Sequence, residues 1–222
     1  TLIELTVVLL VLVALAGLAI PYVSGTSRKA LCDATDVSMA NIKRVIMEGY
    51  YLDTLGHYPQ DLSVLSANTG SEKYQLHFLF SKTSLGGRVH KSFDPDSAIG
   101  WRTGGYLQDA QVLGADLTTG RYDNATYTEP FLSGHHVVMD AWGRPFVIQV
   151  VGEAVCTDST KWNMDTTETV CARIVSAGAG SGLGEGKAQL DTKITGKPAN
   201  DDRVLYLNVS TPSADINPSC AD

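Results

Sequence analysis

The chain has 222 residues and a formal net charge of −7, which suits one core of ordinary size and leaves no basic field to recruit nucleic acid. Charged residues make up 18%, below the roughly 25% usual for soluble domains, and the deficit is concentrated at the amino-terminal end. No HExxH, phosphate loop or Ser-His-Asp order appears, and His57, His77 and His90 are scattered. The sequence therefore offers no catalytic constellation, and no enzyme is expected.

From Leu5 to Gly25 no residue is charged, and most positions are Leu, Val, Ala or Ile. At about 1.5 Å per residue, a helix of this length spans roughly 30 Å, the hydrocarbon thickness of a bilayer. Arg28 and Lys29 follow, where charge meets headgroups. A secretory signal peptide would have a basic start, a shorter apolar run and a small-residue cleavage site. This chain begins with neither Met nor a basic residue, and reads as already processed at its front.

Thr1-Leu2-Ile3-Glu4-Leu5 is the most specific signal. A carboxylate at the head of an apolar span costs a few kcal/mol in lipid. Glu4 either sits at the interface, favoured by the helix N-terminus, or pairs with a positive amino terminus at Thr1, its own or a neighbour's. Pairing in a dry environment would set a register for assembly.

TLIEL followed by an apolar run resembles the amino-terminal signal of type IV pilins and the major pseudopilins of type II secretion. In that family a leader ending in Gly is removed and the exposed residue, usually Phe, is N-methylated; it would stand just before Thr1. The resemblance implies inner-membrane storage before assembly and an extracellular or periplasmic filament afterwards. It also implies a homopolymer served by a prepilin peptidase, an assembly ATPase, an inner-membrane platform protein and an outer-membrane secretin.

Residues 1 to about 55 read as one long helix with a weak point. Pro21 cannot donate a backbone hydrogen bond, and Gly17 adds backbone freedom four residues earlier. Together they predict a kink or an unwound stretch from Ala14 to Tyr22, with the free subunit more helical than the filament because unpaired backbone groups are costly in lipid. Beyond Lys29 the pattern turns amphipathic, with Met39, Ile42, Val45, Ile46, Gly49 and Leu52 at helical spacing. Gly56 and Pro59 end the helix. Residues 66–135, rich in Gly, Ser, Thr and Asn, read as an elaborated loop with short strands. Asp140-Ala141-Trp142-Gly143-Arg144-Pro145-Phe146 is similar to the turn motif of major pseudopilins. Strands are expected over 146–151, 170–176 and 203–209.

Four cysteines lack CxxC spacing, so disulfides fit better than zinc. Cys156 and Cys171 flank a polar excursion and are the preferred pair. Cys32 and Cys220 remain, either bridged, intermolecular or free. His135-His136 with Asp140 is a poor metal site, because adjacent strand residues face opposite ways. The stretch 176–186 resembles the calcium loop of major pseudopilins. Gly180 stands where the loop Asp belongs, which leaves Asp201 and Asp202 as the carboxylates for Ca2+. Asn124 and Asn208 lie in glycosylation sequons, with Asn124 the better candidate.

The expected fold is α+β: a long amino-terminal helix, with a transmembrane half and an amphipathic half, packed on an antiparallel β-sheet head of type IV pilin kind. Its divisions are 1–28 for the hydrophobic stalk, 29–55 for the amphipathic half and 56–222 for the head, with the sheet over 146–209. The expected function is a structural major subunit of a type IV pilus-like filament. The alternatives are a major pseudopilin and, from another class, a membrane-tethered binding domain.

Overall fold

Apolar periodicity at 3.6 residues builds the first element. The computed structural model describes residues 2–59, 65–67, 76–83, 89–102, 104–108, 111–112, 136–151, 156, 171–176, 178, 203–212, 216–217 and 219–220. It opens with helix α1, Leu2–Val45. Polar side chains inside α1 are satisfied locally: the Thr6 hydroxyl donates to the Ile3 carbonyl at 2.9 Å and the Ser38 hydroxyl to the Ala34 carbonyl at 2.9 Å, the back-bonding open to Ser and Thr. A π-helical turn, Ile46–Tyr50, and a short α2, Tyr51–Asp53, continue the rod. Gly49 has its place here because a Cβ would stand 3.1 Å from the Tyr106 ring. The rod stops where Thr54 returns its hydroxyl to the Tyr50 carbonyl and Gly56 turns left-handed at φ 91°.

Met39, Ile42, Ile46 and Tyr50 form the buried stripe of this rod. They pack on a three-stranded antiparallel sheet ordered β5 (Val147–Val151), β6 (Cys171–Ser176) and β7 (Arg203–Tyr206). Period-two alternation sends Ile148, Val150, Ala172 and Ile174 into that core, as a pleated strand requires. The opposite side carries a cross-strand row, Gln149–Arg173–Tyr206. There Arg173 Nε donates to Gln149 Oε1 at 2.9 Å and Arg173 Nη1 to the Tyr206 hydroxyl at 3.1 Å. The row is buried too, so β5 reads as apolar on nearly every position rather than alternating.

Two small antiparallel pairs complete the described head. They are β1 (Leu65–Ala67) with β2 (Val89–His90), and β3 (Gln111–Val112) with β4 (His136–Val137). A 3-10 turn, His77–Leu79, lies between β1 and β2 and gives Phe78 and Leu79 to the core.

Several expectations are corrected. The expected α+β fold, with a half-transmembrane helix lying on one sheet, is not observed. Among the described residues no helix is long and apolar enough to cross a membrane, which also overturns the inner-membrane placement. Ile3–Leu15, the part of the apolar run of α1 whose side chains are described, makes about 20 Å of helix, shorter by itself than a hydrocarbon core of about 30 Å. The sheet of the head is small, and the described core residues of α1, Met39 and Ile42, come from its second half. In the single chain the backbone is α-helical through Gly17 and Pro21, and the expected unwinding concerns the assembled filament. A proline removes one helical hydrogen bond, and the bonds on either side can hold the rod. Finally, the last strand stops at Tyr206, and Asn208 lies beyond it with its side-chain oxygen accepting the Ala172 N–H at 3.2 Å.

The end of the helical rod is tied to β2 by a buried imidazole. The Tyr50 hydroxyl and His90 Nε2 are 2.8 Å apart, and His90 Nδ1 lies 3.1 Å from the Lys91 carbonyl. Nδ1–H donates to that carbonyl, which leaves Nε2 to accept from Tyr50. Burial, with smaller contributions from Lys82, Lys91 and His57, lowers the His90 pKa to about 4. Unfolded, the same group titrates near 6.5. Between those values the unfolded chain binds the extra proton, so stability falls as pH falls. We expect His90 to withdraw about 3 kcal/mol between pH ~6.5 and ~4. Urea unfolding across that range should show the loss in the parent chain and a flatter profile in His90→Gln; identical profiles would contradict the assignment.

Candidate functional site: an apolar arm on a braced head

The first helical turns carry aliphatic side chains on every side. Ile3, Leu5, Val7 through Val13 and Leu15 are each 48–72% exposed. Successive helical residues are about 100° apart, so the unbroken run Val7–Val13 circles the axis nearly twice. One docking face would leave most of these side chains in water. Glu4 sits in the first turn of this arm, where a carboxylate suits the positive end of the helix dipole.

Further along, α1 is fixed to the head by side chains at helical spacing. Cys32 is bridged to Cys220, with Cα atoms 5.6 Å apart. Thr35 Oγ accepts the Ala141 N–H at 3.1 Å. Asp36 takes a two-pronged contact from the Arg203 guanidinium, with Nε 2.5 Å from Oδ1. Lys43 Nζ donates to the Tyr206 carbonyl at 2.6 Å. The Arg203 side chain is only 6% exposed, and removing the partner of so buried a charge typically costs about 3–5 kcal/mol.

The turn following β4 is the second anchor. Asp140 Oδ1 accepts the N–H groups of Trp142 (2.9 Å) and Arg144 (2.8 Å), and Oδ2 accepts the Ser176 hydroxyl at 2.6 Å. Burial raises the pKa of Asp140, and these hydrogen bonds together with the nearby Arg144 charge oppose the shift. Gly143, at φ 75°, supplies the left-handed position of the turn. The sequence identified this turn by its Trp, Gly and Pro; the part played by Asp140, cross-linking it to β6, was not readable there.

The structure joins Cys156 to Cys171 as well, with Cα atoms 5.7 Å apart. Gly17 and Pro21 lie within α1. Thr1, Asn124, His135, Asp201 and Asp202 lie outside the described residues. Cys32, Asp36 and Cys220 converge closely enough to suggest a metal cluster, but the two sulfurs are bonded to each other and offer no thiolate. His136 meets His77, with the two Nδ1 atoms 3.3 Å apart. Asp140 is committed to its turn. The His77–His136 contact spans 59 positions of sequence, and no local pattern announces it.

No family model, curated protein or solved structure matches the chain.

The two disulfides should differ in weight. Cys32–Cys220 closes a separation of 188 residues and Cys156–Cys171 one of 15. In the chain-entropy account these loops are worth about 5 and about 3 kcal/mol. Paired Cys→Ser replacements, followed by denaturant unfolding, should show the larger loss for positions 32 and 220. A larger loss at positions 156 and 171 would contradict the brace.

Proposed function

We propose that the chain is a structural subunit that polymerises with copies of itself into a helical filament of type IV pilus-like kind. The arm Ile3–Leu15 would form the filament interior and the head its outer shell. The observation that carries this reading is the arm itself: ten large aliphatic side chains, exposed around a whole helix. A helix apolar on all sides is stable only when surrounded. A single partner would cover one side; a bundle of arms from several copies covers all of them. Burying each aliphatic side chain contributes on the order of 1.5–3 kcal/mol relative to water, so arms in water have a strong reason to cluster.

The TLIEL motif at the head of the run supports the same reading. Inside a bundle of arms a carboxylate at Glu4 is favourable when paired, and a positive amino terminus, its own or a neighbouring copy's, would set the register. On the resemblance, a prepilin peptidase would expose that terminus, and an assembly ATPase with its platform protein would drive polymerisation. The braced junction between α1 and the head supports a structural role, because it would hold the heads in one orientation along a polymer.

Arm substitutions should separate assembly from folding. Leu9→Asp and Leu12→Asp should leave the unfolding temperature of the head within the ±0.5 kcal/mol usual for exposed sites, about 2 °C. They should also abolish sedimentable polymer after detergent removal. Glu4→Leu should lower polymer yield by at least about tenfold, equivalent to 1.4 kcal/mol. Parent chain that stays monomeric without detergent, or Leu9→Asp that still polymerises, would overturn the reading.

A further inference from the structure

Away from the arm, the described head contains a cavity of about 470 Å³ lined by Lys82, Ser92, Phe93, Trp101 and Arg102. That volume is in the range of small-ligand sites. Its ionised lining groups are both cations, an ammonium and a guanidinium, set beside two aromatic rings and a hydroxyl. We infer that this cavity is a binding site for a small organic carboxylate with a ring-shaped apolar face, the chemistry of an acidic sugar.

The loop that carries most of the lining is held by its own hydrogen bonds. It is stapled by Phe93 N–H to the Trp101 carbonyl (3.0 Å), Trp101 N–H to the Lys91 carbonyl (2.9 Å) and Asp94 N–H to the Ile99 carbonyl (2.7 Å). Asp94 further accepts the Asp96 N–H at 3.0 Å and the Ser97 hydroxyl at 2.7 Å. Gly100 lets the strands close: at φ 115°, an added Cβ would lie 2.2 Å from the Ser92 carbonyl oxygen. The Gly100 N–H in turn donates to the Asp53 carbonyl at 2.6 Å, tying the loop to the end of the helical rod. The Trp101 indole N–H is used up on the Phe78 carbonyl at 2.6 Å, so the ring offers the cavity an apolar surface.

The cations are placed by the same framework. Arg102 Nε is held 2.6 Å from Asp53 Oδ2, which also accepts the Tyr106 hydroxyl at 3.1 Å. The guanidinium carbon lies 4.9 Å from the Phe93 ring centre, a cation–π arrangement that fixes its plane. The Arg102 side chain is 58% exposed, and the two terminal nitrogens of a guanidinium are a pair suited to a carboxylate fork. Lys82 Nζ donates to Ser92 Oγ and has no carboxylate partner among the described residues. An ammonium and an anchored guanidinium, with Asp53 the one acid pairing either of them among the described residues, leave positive charge uncompensated at the cavity. A carboxylate would neutralise it, and a sugar or other ring would lie against Phe93 and Trp101.

The test titrates the full chain in detergent with D-glucuronate and follows tryptophan fluorescence and binding heat, with D-glucose and inorganic phosphate as controls. Glucuronate should bind saturably, glucose should not, and phosphate should bind at least about tenfold more weakly because it lacks the ring face. Lys82→Gln keeps the Asp53–Arg102 pair and should weaken glucuronate about tenfold, the loss of one charge-assisted hydrogen bond. Arg102→Lys keeps the charge but loses the fork, and should weaken it comparably. Absence of saturable glucuronate binding overturns the inference. Equal affinity for glucose and glucuronate, or unchanged affinity in both variants, overturns it as well.

Discussion

The contact between residues 32–50 of the helical rod and the three-stranded sheet is the constraint on which the rest of the structure depends. One face of the rod, Met39, Ile42, Ile46 and Tyr50, is buried against Phe146, Ile148, Ala172 and Ile174. Hydrophobic burial alone would hold the rod loosely in register, since it has no direction. Direction comes from the polar edge of the same face. Thr35, Asp36 and Lys43 each contact a fixed backbone or buried charge on the head, and the Cys32–Cys220 bridge closes the set. The sheet, the Asp140 turn and the chain's carboxyl-terminal region are thereby attached to one helix.

That attachment explains how a chain with so exposed an apolar arm can still have a well-packed head. The arm and the stripe are parts of one continuous helix, but their chemistry differs. The stripe is apolar on one side and is covered within the chain. The arm is apolar on all sides, and its side chains are left uncovered. A subunit built in this way stores its unmet burial in a single segment, away from the groups that keep the head folded. Polymerisation through the arm would then draw on surface that folding does not use.

Much of the helical rod was legible in the sequence because its signal is local. The apolar run, the change to amphipathic spacing after Lys29 and the stop at Gly56 each depend on residues within a few turns. Counting uncharged positions from Leu5 to Gly25 gives a bilayer's thickness, whereas among the described residues no helix is long and apolar enough to cross a membrane. The strands of the sheet could be read from their β-branched runs, though not the role of Arg173 or Gln149, whose partners come from other strands. The site around Arg102 was the least visible. Arg102 falls within 66–135, which reads in sequence only as an elaborated loop, and its charge acquires meaning only beside Asp53, Phe93 and Lys82, which lie at other places in the chain.

The central claim is that the arm is the surface that copies of the chain share. Backbone hydrogen exchange, resolved to peptides and compared between detergent-held monomer and detergent-free polymer, tests it most directly. The account predicts strong new protection across Ile3–Leu15 in the polymer and little change across the 32–50 stretch, one face of which is already packed on the head in the monomer. New protection confined to the head, with the arm exchanging as in the monomer, would contradict it.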